Sequence, residues 1–271
     1  MTNTVSFITA NFVARQVGYN MTEGWMQGDT ATNEYFKPLQ TFPERFEAML
    51  LEVKAMGFAS LDLWGAHLNS AWATPEHVVA ARALLERHGL KVESFATWVG
   101  SLEGLEATAR LAQAMGVSII AGGAPLLKTQ RAEAVAVLKH YGVRLGIENH
   151  PEKSPQEVLE LIGDGADGHI GTALDTGWWA TQGYSPATAI RDLKDHLLIL
   201  HLKDVKAAGA HDTCRFGQGV AEIAACVEAL RQVGYGGVIG IEHEPEHHDP
   251  TEDVRVSKAL LEEWMAGAIA R

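Results

Sequence analysis

The chain has 271 residues, of which 46% are hydrophobic, and its net charge is −12. Its length fits one large α/β barrel or two small domains, and its composition is that of an ordinary globular protein. The negative charge argues against nucleic acid or anionic membranes as partners, and no run of about 18 apolar residues predicts a membrane span.

Short apolar runs alternate with amphipathic stretches in the first half of the chain. Strands are predicted at Val5–Thr9, Ala59–Leu63, Val92–Ala96 and Val117–Ala121. The first helix begins at Thr41, where Glu44 completes a capping box, and ends at Gly57. The second helix is predicted to run from Thr74-Pro75 to Gly89. The third helix begins near Ser101, and the fourth includes Ala132–His140.

Each of the four later strands ends at an acidic residue or a histidine. The runs are Val143–Ile147 before Glu148, His169–Leu174 before Asp175, Leu197–Leu200 before His201 and Gly237–Ile241 before Glu242. The helix after the first of these strands begins at Ser154, where Glu157 completes a capping box, and the next begins at Ser185-Pro186. The last two helices cover about Val220–Val233 and Asp253–Ala268.

Eight strands, each followed by a helix, predict parallel pairing and a single (β/α)8 TIM barrel domain over residues 1–271. A doubly wound open sheet is the alternative, but such a sheet usually concentrates its ligand at one switch point. No GxGxxG motif follows an early strand, which argues against a nicotinamide domain. Residues 11–40 form an unusually long connection, which we interpret as a lid loop over the barrel mouth.

The four polar strand ends predict one metal site. A charged group at the end of a buried strand is costly unless something compensates it, and consecutive βα units aim their strand ends at a common point. Glu148, Asp175, His201 and Glu242 suit Mn²⁺, Co²⁺ or Mg²⁺ better than a thiolate-rich zinc site, although zinc stays open. Taken singly, each residue also fits an ion pair or a capped loop.

An ordered set of motifs covers most of the chain and is strongest from Arg144 onward. The segments are GIENH (146–150), LDTGWW (174–179), LHLKDV (200–205), RFGQG (215–219) and GYGGVIGIEHE (234–244). Together they resemble the sugar isomerase/epimerase superfamily of xylose-isomerase-like barrels, which includes ketose 3-epimerases, hydroxypyruvate isomerases and inosose dehydratases. The resemblance implies a divalent metal on the same four residues, with Glu148 and Glu242 as the acid/base pair.

The expected activity is a metal-dependent isomerisation or epimerisation of a small carbohydrate, by proton abstraction beside a carbonyl through a metal-stabilised enediolate, with Mn²⁺ as the first choice. The alternative is a lyase that dehydrates a keto-inositol or keto-sugar after the same proton abstraction. A hydrolase resembling endonuclease IV would need about three metals and a basic DNA face. A non-catalytic sugar-binding barrel would not need the full ligand set.

Six further residues are predicted to bind substrate: His67, Trp98, His150, Trp178, Lys203 and Arg215. Trp178 stands where ketose 3-epimerases have a substrate-contacting histidine, a departure from that branch. Trp178 and Trp179 either form a stacking wall for a sugar or one of them packs the barrel rim. His67 is more often a structural group at such a position, and His150 either orients a ligand or contacts substrate.

Two cationic side chains and one histidine-rich run leave alternatives open. Lys203 either stabilises an oxyanion or caps a loop in solvent, with Asp204 as its partner. Arg215, in the same loop as His211, either holds a substrate anion or forms a surface salt bridge. In residues 242–248 only Glu242 is expected to ligate, because strand alternation turns His243 away, and the rest is predicted to be a solvated loop.

The remaining expectations concern partners and compartment. Cys214 and Cys226 have no motif spacing and predict free thiols in a reducing cytoplasm. The N-terminus shows no pattern of a secretory signal. We expect a small sugar or keto-polyol as the substrate and a homodimer as the default assembly.

Overall fold

A computed structural model describes residues 1–267. Eight parallel strands close into a barrel, and a short antiparallel hairpin lies between the last two barrel strands in the chain. The strands are β1 (Val5–Ile8), β2 (Ser60–Trp64), β3 (Lys91–Ala96), β4 (Ile119–Gly122), β5 (Arg144–Glu148), β6 (Ile170–Asp175), β7 (Leu197–Leu202), β8 (Asp204–Val205), β9 (Thr213–Cys214) and β10 (Ile239–Ile241).

The helices surround the barrel in the predicted alternation. They are α1 (Trp25–Phe36), α2 (Phe42–Ala55), α3 (Pro75–His88), α4 (Leu102–Met115), α5 (Arg131–Tyr141), α6 (Pro155–Ile162), α7 (Thr176–Thr181), α8 (Pro186–Asp192), α9 (Ile223–Gln232) and α10 (Thr251–Met265). The fold is therefore the expected (β/α)8 TIM barrel. The predicted end of the last helix, Ala268, lies outside the described residues. Within residues 1–267 no helix is long and apolar enough to cross a membrane.

Two of the predicted capping boxes are not formed. Thr41 has helical backbone angles, and its hydroxyl donates to the carbonyl of Pro38 instead of accepting from the first turn. Ser154 places its hydroxyl 3.4 Å from the carboxylate of Glu157 and makes no side-chain hydrogen bond to the backbone of α6. Both helices still begin where predicted, because proline occupies the first turn in each.

The segment 11–40 is more ordered than the loop predicted from the sequence. It contains short 3-10 turns and the helix α1. The buried residues of α1 are Gly28, Thr32 and Phe36, four apart, and a Cβ at Gly28 would meet the Val13 carbonyl oxygen at 2.3 Å. Helix α1 was not predicted, because two of its three core-facing residues are small or polar and leave no apolar periodicity. The role of the segment as a lid stays a prediction.

One acidic residue inside the barrel, Asp62, was not predicted from the sequence. The Asp62 side chain accepts hydrogen bonds from Ser6 at 2.7 Å and Ser94 at 3.0 Å. It has room because residue 240 is glycine, where a Cβ would lie 2.7 Å from Asp62 Oδ2. Burial raises the pKa of Asp62 to about 6, although His201 nearby opposes the shift.

Asp62 should make the metal-free protein less stable as the pH rises. Its carboxyl has a higher pKa folded than unfolded, so its contribution is fully present below about pH 4 and is lost as the pH passes about 6. Relative to Asp62→Asn, the wild type should lose about 3 kcal/mol of unfolding free energy across this window. Urea melts at several pH values in chelator measure it. The exposed control Asp195→Asn should follow the wild type, and parallel curves for Asp62→Asn would contradict the prediction.

Candidate metal centre at the barrel mouth

The four predicted ligands meet because the strands that carry them are neighbours. β5, β6, β7 and β10 lie side by side, and their pairing places Asp175 opposite His201 and His201 opposite Gly240. Glu148 and Asp175 end their strands, while Glu242 directly follows β10. One ligand atom from each of the four side chains lies within 4.8 Å of the other three.

His201 occupies the middle of the acidic group. Its Nδ1 atom lies 3.2 Å from Glu148 Oε1 and 3.2 Å from Glu242 Oε2. Burial would lower the pKa of His201, but these two carboxylates raise it well above its usual value. Burial would likewise raise the pKa of Glu148, whereas the imidazoles of His150 and His201 lower it. The Nδ1 contact with Glu148 Oε1 is a hydrogen bond, whereas Glu242 Oε2 lies only at ion-pair distance from the imidazole.

Lys203 lies inside this centre and is not a solvent-facing loop cap. Its side chain is 2% exposed, and its Nζ lies 3.1 Å from Asp175 Oδ2 and 2.5 Å from Glu242 Oε1. Burial would lower the pKa of Lys203, but the surrounding carboxylates raise it well above its usual value. Burial also raises the pKa of Asp175 to about 6, against the opposing effect of Lys203.

The arrangement fits a divalent cation. Asp175 Oδ2 and Glu242 Oε2 are buried, and neither has an aligned hydrogen-bond donor within residues 1–267, although cationic nitrogens lie close by. The His201 Nε2 atom also lacks a hydrogen-bond partner among residues 1–267. Three carboxylates and one imidazole are ligands of Mn²⁺, Co²⁺, Mg²⁺ and Zn²⁺. The residues present are therefore suited to hold the implied metal.

Comparison with known proteins identifies the family. A family model described as the xylose isomerase-like TIM barrel matches residues 50–264. The chain belongs to this family. The resemblance inferred from the sequence motifs is thus confirmed, and the ends of the barrel strands are where such folds place their active sites.

The relatives of this xylose isomerase-like chain are distant. An uncharacterized protein of Methanocaldococcus jannaschii is 28% identical over 142 residues, which cover 49% of this chain and 46% of that protein. L-ribulose 3-epimerase superposes with a TM-score of 0.71 at 16% identity, covering 99% and 96% of the two chains. The probable 3-DHS dehydratase of Bacillus anthracis gives 0.65 at 15%, covering 96% and 98%. At these identities the structural likeness shows a shared fold.

Glu244 is a further carboxylate beside the four candidate ligands, and the prediction of a solvated loop after Glu242 is wrong at this residue. Its side chain is 9% exposed and lies 3.2 Å from Lys203 Nζ. Burial raises the pKa of Glu244 to about 7, although Lys203 opposes the shift. The signal was present in the sequence, because alternation along an extended strand puts residues 242 and 244 on one side.

Helix α1 reaches the centre through Trp25. The Trp25 indole nitrogen donates to Glu244 Oε1 at 3.1 Å, and its ring packs edge-on against Trp64 at 5.2 Å. His67 lies beside Trp64, buried between that ring and Phe36. Burial lowers the pKa of His67 to about 3, which describes a neutral group packed among aromatic rings. These contacts place the 11–40 segment against one side of the mouth.

A second group of aromatic side chains surrounds His150, next to Glu148. Trp178 stacks on His211 with ring centroids 3.7 Å apart and 11° between the planes. His150 lies 5.1 Å from Trp178 and 6.2 Å from Trp98, and its Nε2 is 3.4 Å from Glu148 Oε2. Trp98 itself is 64% exposed. Trp179 is fully buried and packs the barrel rim, so of the two tryptophans only Trp178 stays a candidate for the predicted stacking wall.

Arg215 forms a salt bridge with Asp253, and Asp204 does not pair with Lys203. Arg215 donates twice to Asp253 Oδ1, at 2.8 and 2.6 Å, which matches the salt-bridge alternative. Asp204 accepts backbone N–H groups from Val205, Gly217, Gly219 and Ala221, so it organises the loop around the hairpin. Sequence adjacency suggested the Lys203 pairing, but alternation along the strand separates the two side chains.

The predicted orientation of His243 and the predicted free state of the two cysteines agree with the structure. His243 turns away from the centre, with its Nδ1 2.9 Å from Thr213 Oγ1 and its Nε2 3.2 Å from Asp253 Oδ2. Cys214 and Cys226 are buried free thiols. Asn149, which the sequence analysis missed, exchanges two hydrogen bonds with the backbone of Asp175 and so ties the ends of β5 and β6 together.

The contact between Trp25 and Glu244 should control how firmly α1 covers the mouth. Replacing Trp25 with Phe keeps an aromatic ring but removes the N–H donor. A hydrogen bond of about 1–1.5 kcal/mol would be lost, so amide exchange over residues 21–36 should become about tenfold faster. Hydrogen exchange with mass spectrometry measures this. Met26→Ala, an exposed change in the same helix, should have little effect, and unchanged exchange in Trp25→Phe would rule out the anchor.

Proposed function

We propose that this protein is a divalent-metal-dependent isomerase or epimerase of a small carbohydrate. The observation that carries the proposal is the meeting of Glu148, Asp175, His201 and Glu242, buried, at the carboxyl ends of adjacent strands. These four residues would hold the cation, with Mn²⁺ as the first choice. A bound cation would supply Lewis-acid stabilisation of the negative charge that develops on substrate oxygens during proton abstraction.

Glu148 and Glu242 are the proposed proton-moving pair. They lie on either side of His201, and each has a different second neighbour. Glu148 faces the half-buried imidazole of His150, whereas Glu242 contacts the buried ammonium of Lys203. One carboxylate takes a proton from the carbon beside the carbonyl, and the other, when protonated, returns a proton to the substrate.

Lys203 has the geometry of an electrostatic stabiliser. It is buried, positively charged and held by three carboxylates, so little reorganisation is needed when an oxyanion forms next to it. Glu244 and Asp175 fix the ammonium position from two sides. We propose that Lys203 donates a hydrogen bond to the substrate oxygen that gains charge.

The walls of the mouth favour a carbohydrate. Trp178, Trp98 and Trp25 present aromatic surface around a centre that is otherwise polar, and His150 and His211 add hydrogen-bonding atoms between the rings. Aromatic faces suit the apolar C–H faces of a sugar ring, while a few placed polar groups fix its orientation. Because the Arg215 guanidinium is committed to Asp253, we propose an uncharged sugar or keto-polyol.

A lyase acting on a keto-inositol or keto-sugar is the second candidate. It needs the same proton abstraction and, in addition, a proton donor for the departing hydroxyl group. The Lys203–Glu244 pair favours it, since an ammonium and a carboxyl with a raised pKa lie beside the acid/base pair. The probable 3-DHS dehydratase is a dehydratase by name and shares the fold.

A single screen separates the candidates. Chelator-treated protein is reloaded with Mn²⁺, Co²⁺, Mg²⁺ or Zn²⁺ and incubated with ketoses, keto-inositols and 3-keto-glycosides in deuterated water, and proton NMR follows the products. An isomerase or epimerase yields an isomer labelled beside the carbonyl, and a lyase yields a product that has lost water. Absence of metal-dependent exchange at carbon with every substrate would contradict both candidates.

A further inference from the structure

A second cluster of metal-binding side chains lies outside the centre described above. His243, His248 and Asp253 each offer a ligand atom, and these atoms lie within 4.8 Å of one another. His243 Nε2 is 3.2 Å and His248 Nε2 is 3.1 Å from the same oxygen, Asp253 Oδ2. We infer that these three residues form a second, structural site for Zn²⁺ or a similar transition-metal ion.

The separations of the two histidine nitrogens from Asp253 Oδ2 match those of a tetrahedral site. Nitrogen and oxygen ligands lie about 2.0–2.2 Å from zinc, so at tetrahedral angles two of them are about 3.3 Å apart. The two histidine rings approach from different directions, with centroids 5.7 Å apart and planes at 51°. Two imidazoles and one carboxylate select zinc, cobalt or nickel over magnesium or calcium.

The atoms behind the ligands are already held in place. His243 has its other nitrogen, Nδ1, 2.9 Å from Thr213 Oγ1, and Arg215 donates twice to the other Asp253 oxygen. Such outer contacts fix the tautomer of a ligating histidine and the orientation of a ligating carboxylate. With a metal on Nε2, the His243 proton would move to Nδ1 and be donated to the threonine hydroxyl.

The location assigns the site a structural role. The three ligands and their supporting residues come from the chain after β10, from the first turn of α10 and from the hairpin strand β9 with Arg215 just beyond it. His243 is 1% exposed and Asp253 is 20% exposed, whereas His248 is 53% exposed. An ion can therefore enter from the His248 side and join the chain after β10 to the first turn of α10. Thr213 and Arg215, which contact His243 and Asp253, link this junction to the hairpin segment earlier in the chain.

Zinc stoichiometry tests the second site directly. Chelator-stripped protein is dialysed to equilibrium against Zn²⁺, and bound metal per chain is counted for wild type, His248→Gln and the neighbouring exposed control His247→Gln. His248→Gln should bind one equivalent fewer than wild type, while His247→Gln should bind the same number. Zn²⁺ should also raise the melting temperature of wild type more than that of His248→Gln.

A variant of the first centre keeps the two sites apart. His201→Gln should lose one equivalent of zinc and keep the one that His248→Gln removes. Equal stoichiometry in wild type and His248→Gln, with the protein folded by circular dichroism, would overturn the second site and leave the proposed enzyme function untouched. Asp253→Asn provides an independent variant, and its failure to lower zinc binding would equally overturn the inference.

Discussion

Replacing Glu148 or Glu242 with Gln should lower turnover by about 10²–10⁴-fold while metal affinity falls much less. The amide keeps the shape of the side chain and one oxygen donor but removes the basic carboxylate, and a positioned base contributes about that factor. Each variant also breaks one of the two contacts around His201 Nδ1. Turnover on a substrate found in the screen and metal content by elemental analysis are measured side by side.

Deuterium labelling distinguishes loss of proton transfer from loss of binding. In deuterated water the wild type should place deuterium on the carbon beside the carbonyl, and each Gln variant should slow that incorporation as much as it slows turnover. Glu246→Gln is the matched control, because Glu246 lies close in sequence to Glu242 and its side chain is 49% exposed. Full activity in both Glu148→Gln and Glu242→Gln with metal bound would sink the two-carboxylate mechanism.

Replacing Lys203 with Met should destabilise the metal-free protein by about 3–5 kcal/mol. Removing one partner of a buried ion pair leaves the other partners uncompensated, and here Asp175, Glu242 and Glu244 all contact the ammonium. The loss should grow as the pH rises, because the three carboxylates escape part of the cost by staying protonated at low pH. Urea denaturation in chelator measures the effect.

A divalent cation should recover much of that loss. If it binds among the same carboxylates, Mn²⁺ stabilises the folded state of Lys203→Met by mass action and supplies the missing positive charge. The exposed Lys206, paired only with Asp212 among the described residues, provides the control Lys206→Met, which should change stability by less than about 1 kcal/mol. A Lys203→Met protein as stable as wild type without metal would show that the ammonium does not neutralise the centre.

Particular residues show how far the sequence alone carried the candidate site. Glu148, Asp175, His201 and Glu242 were recognisable because a charge or imidazole directly after a buried strand stands out from the apolar pattern. Glu244 was readable by the same alternation but was assigned to a solvated loop, since Pro245 and the following polar residues resemble a turn. Trp25 was not identifiable, because its contact with Glu244 joins residues 219 positions apart.

The sequence by itself determined the (β/α)8 alternation, the strand ends that carry the candidate ligands, and the family. Hydrophobic periodicity and local motifs depend only on residues that are close together in the sequence. Only the tertiary structure decided the environment of each charged group. Lys203 is buried among carboxylates, Arg215 is committed to Asp253, and Asp62 fills the space beside Gly240. Burial and ion pairing depend on which distant segments pack together, and barrel closure sets these neighbours.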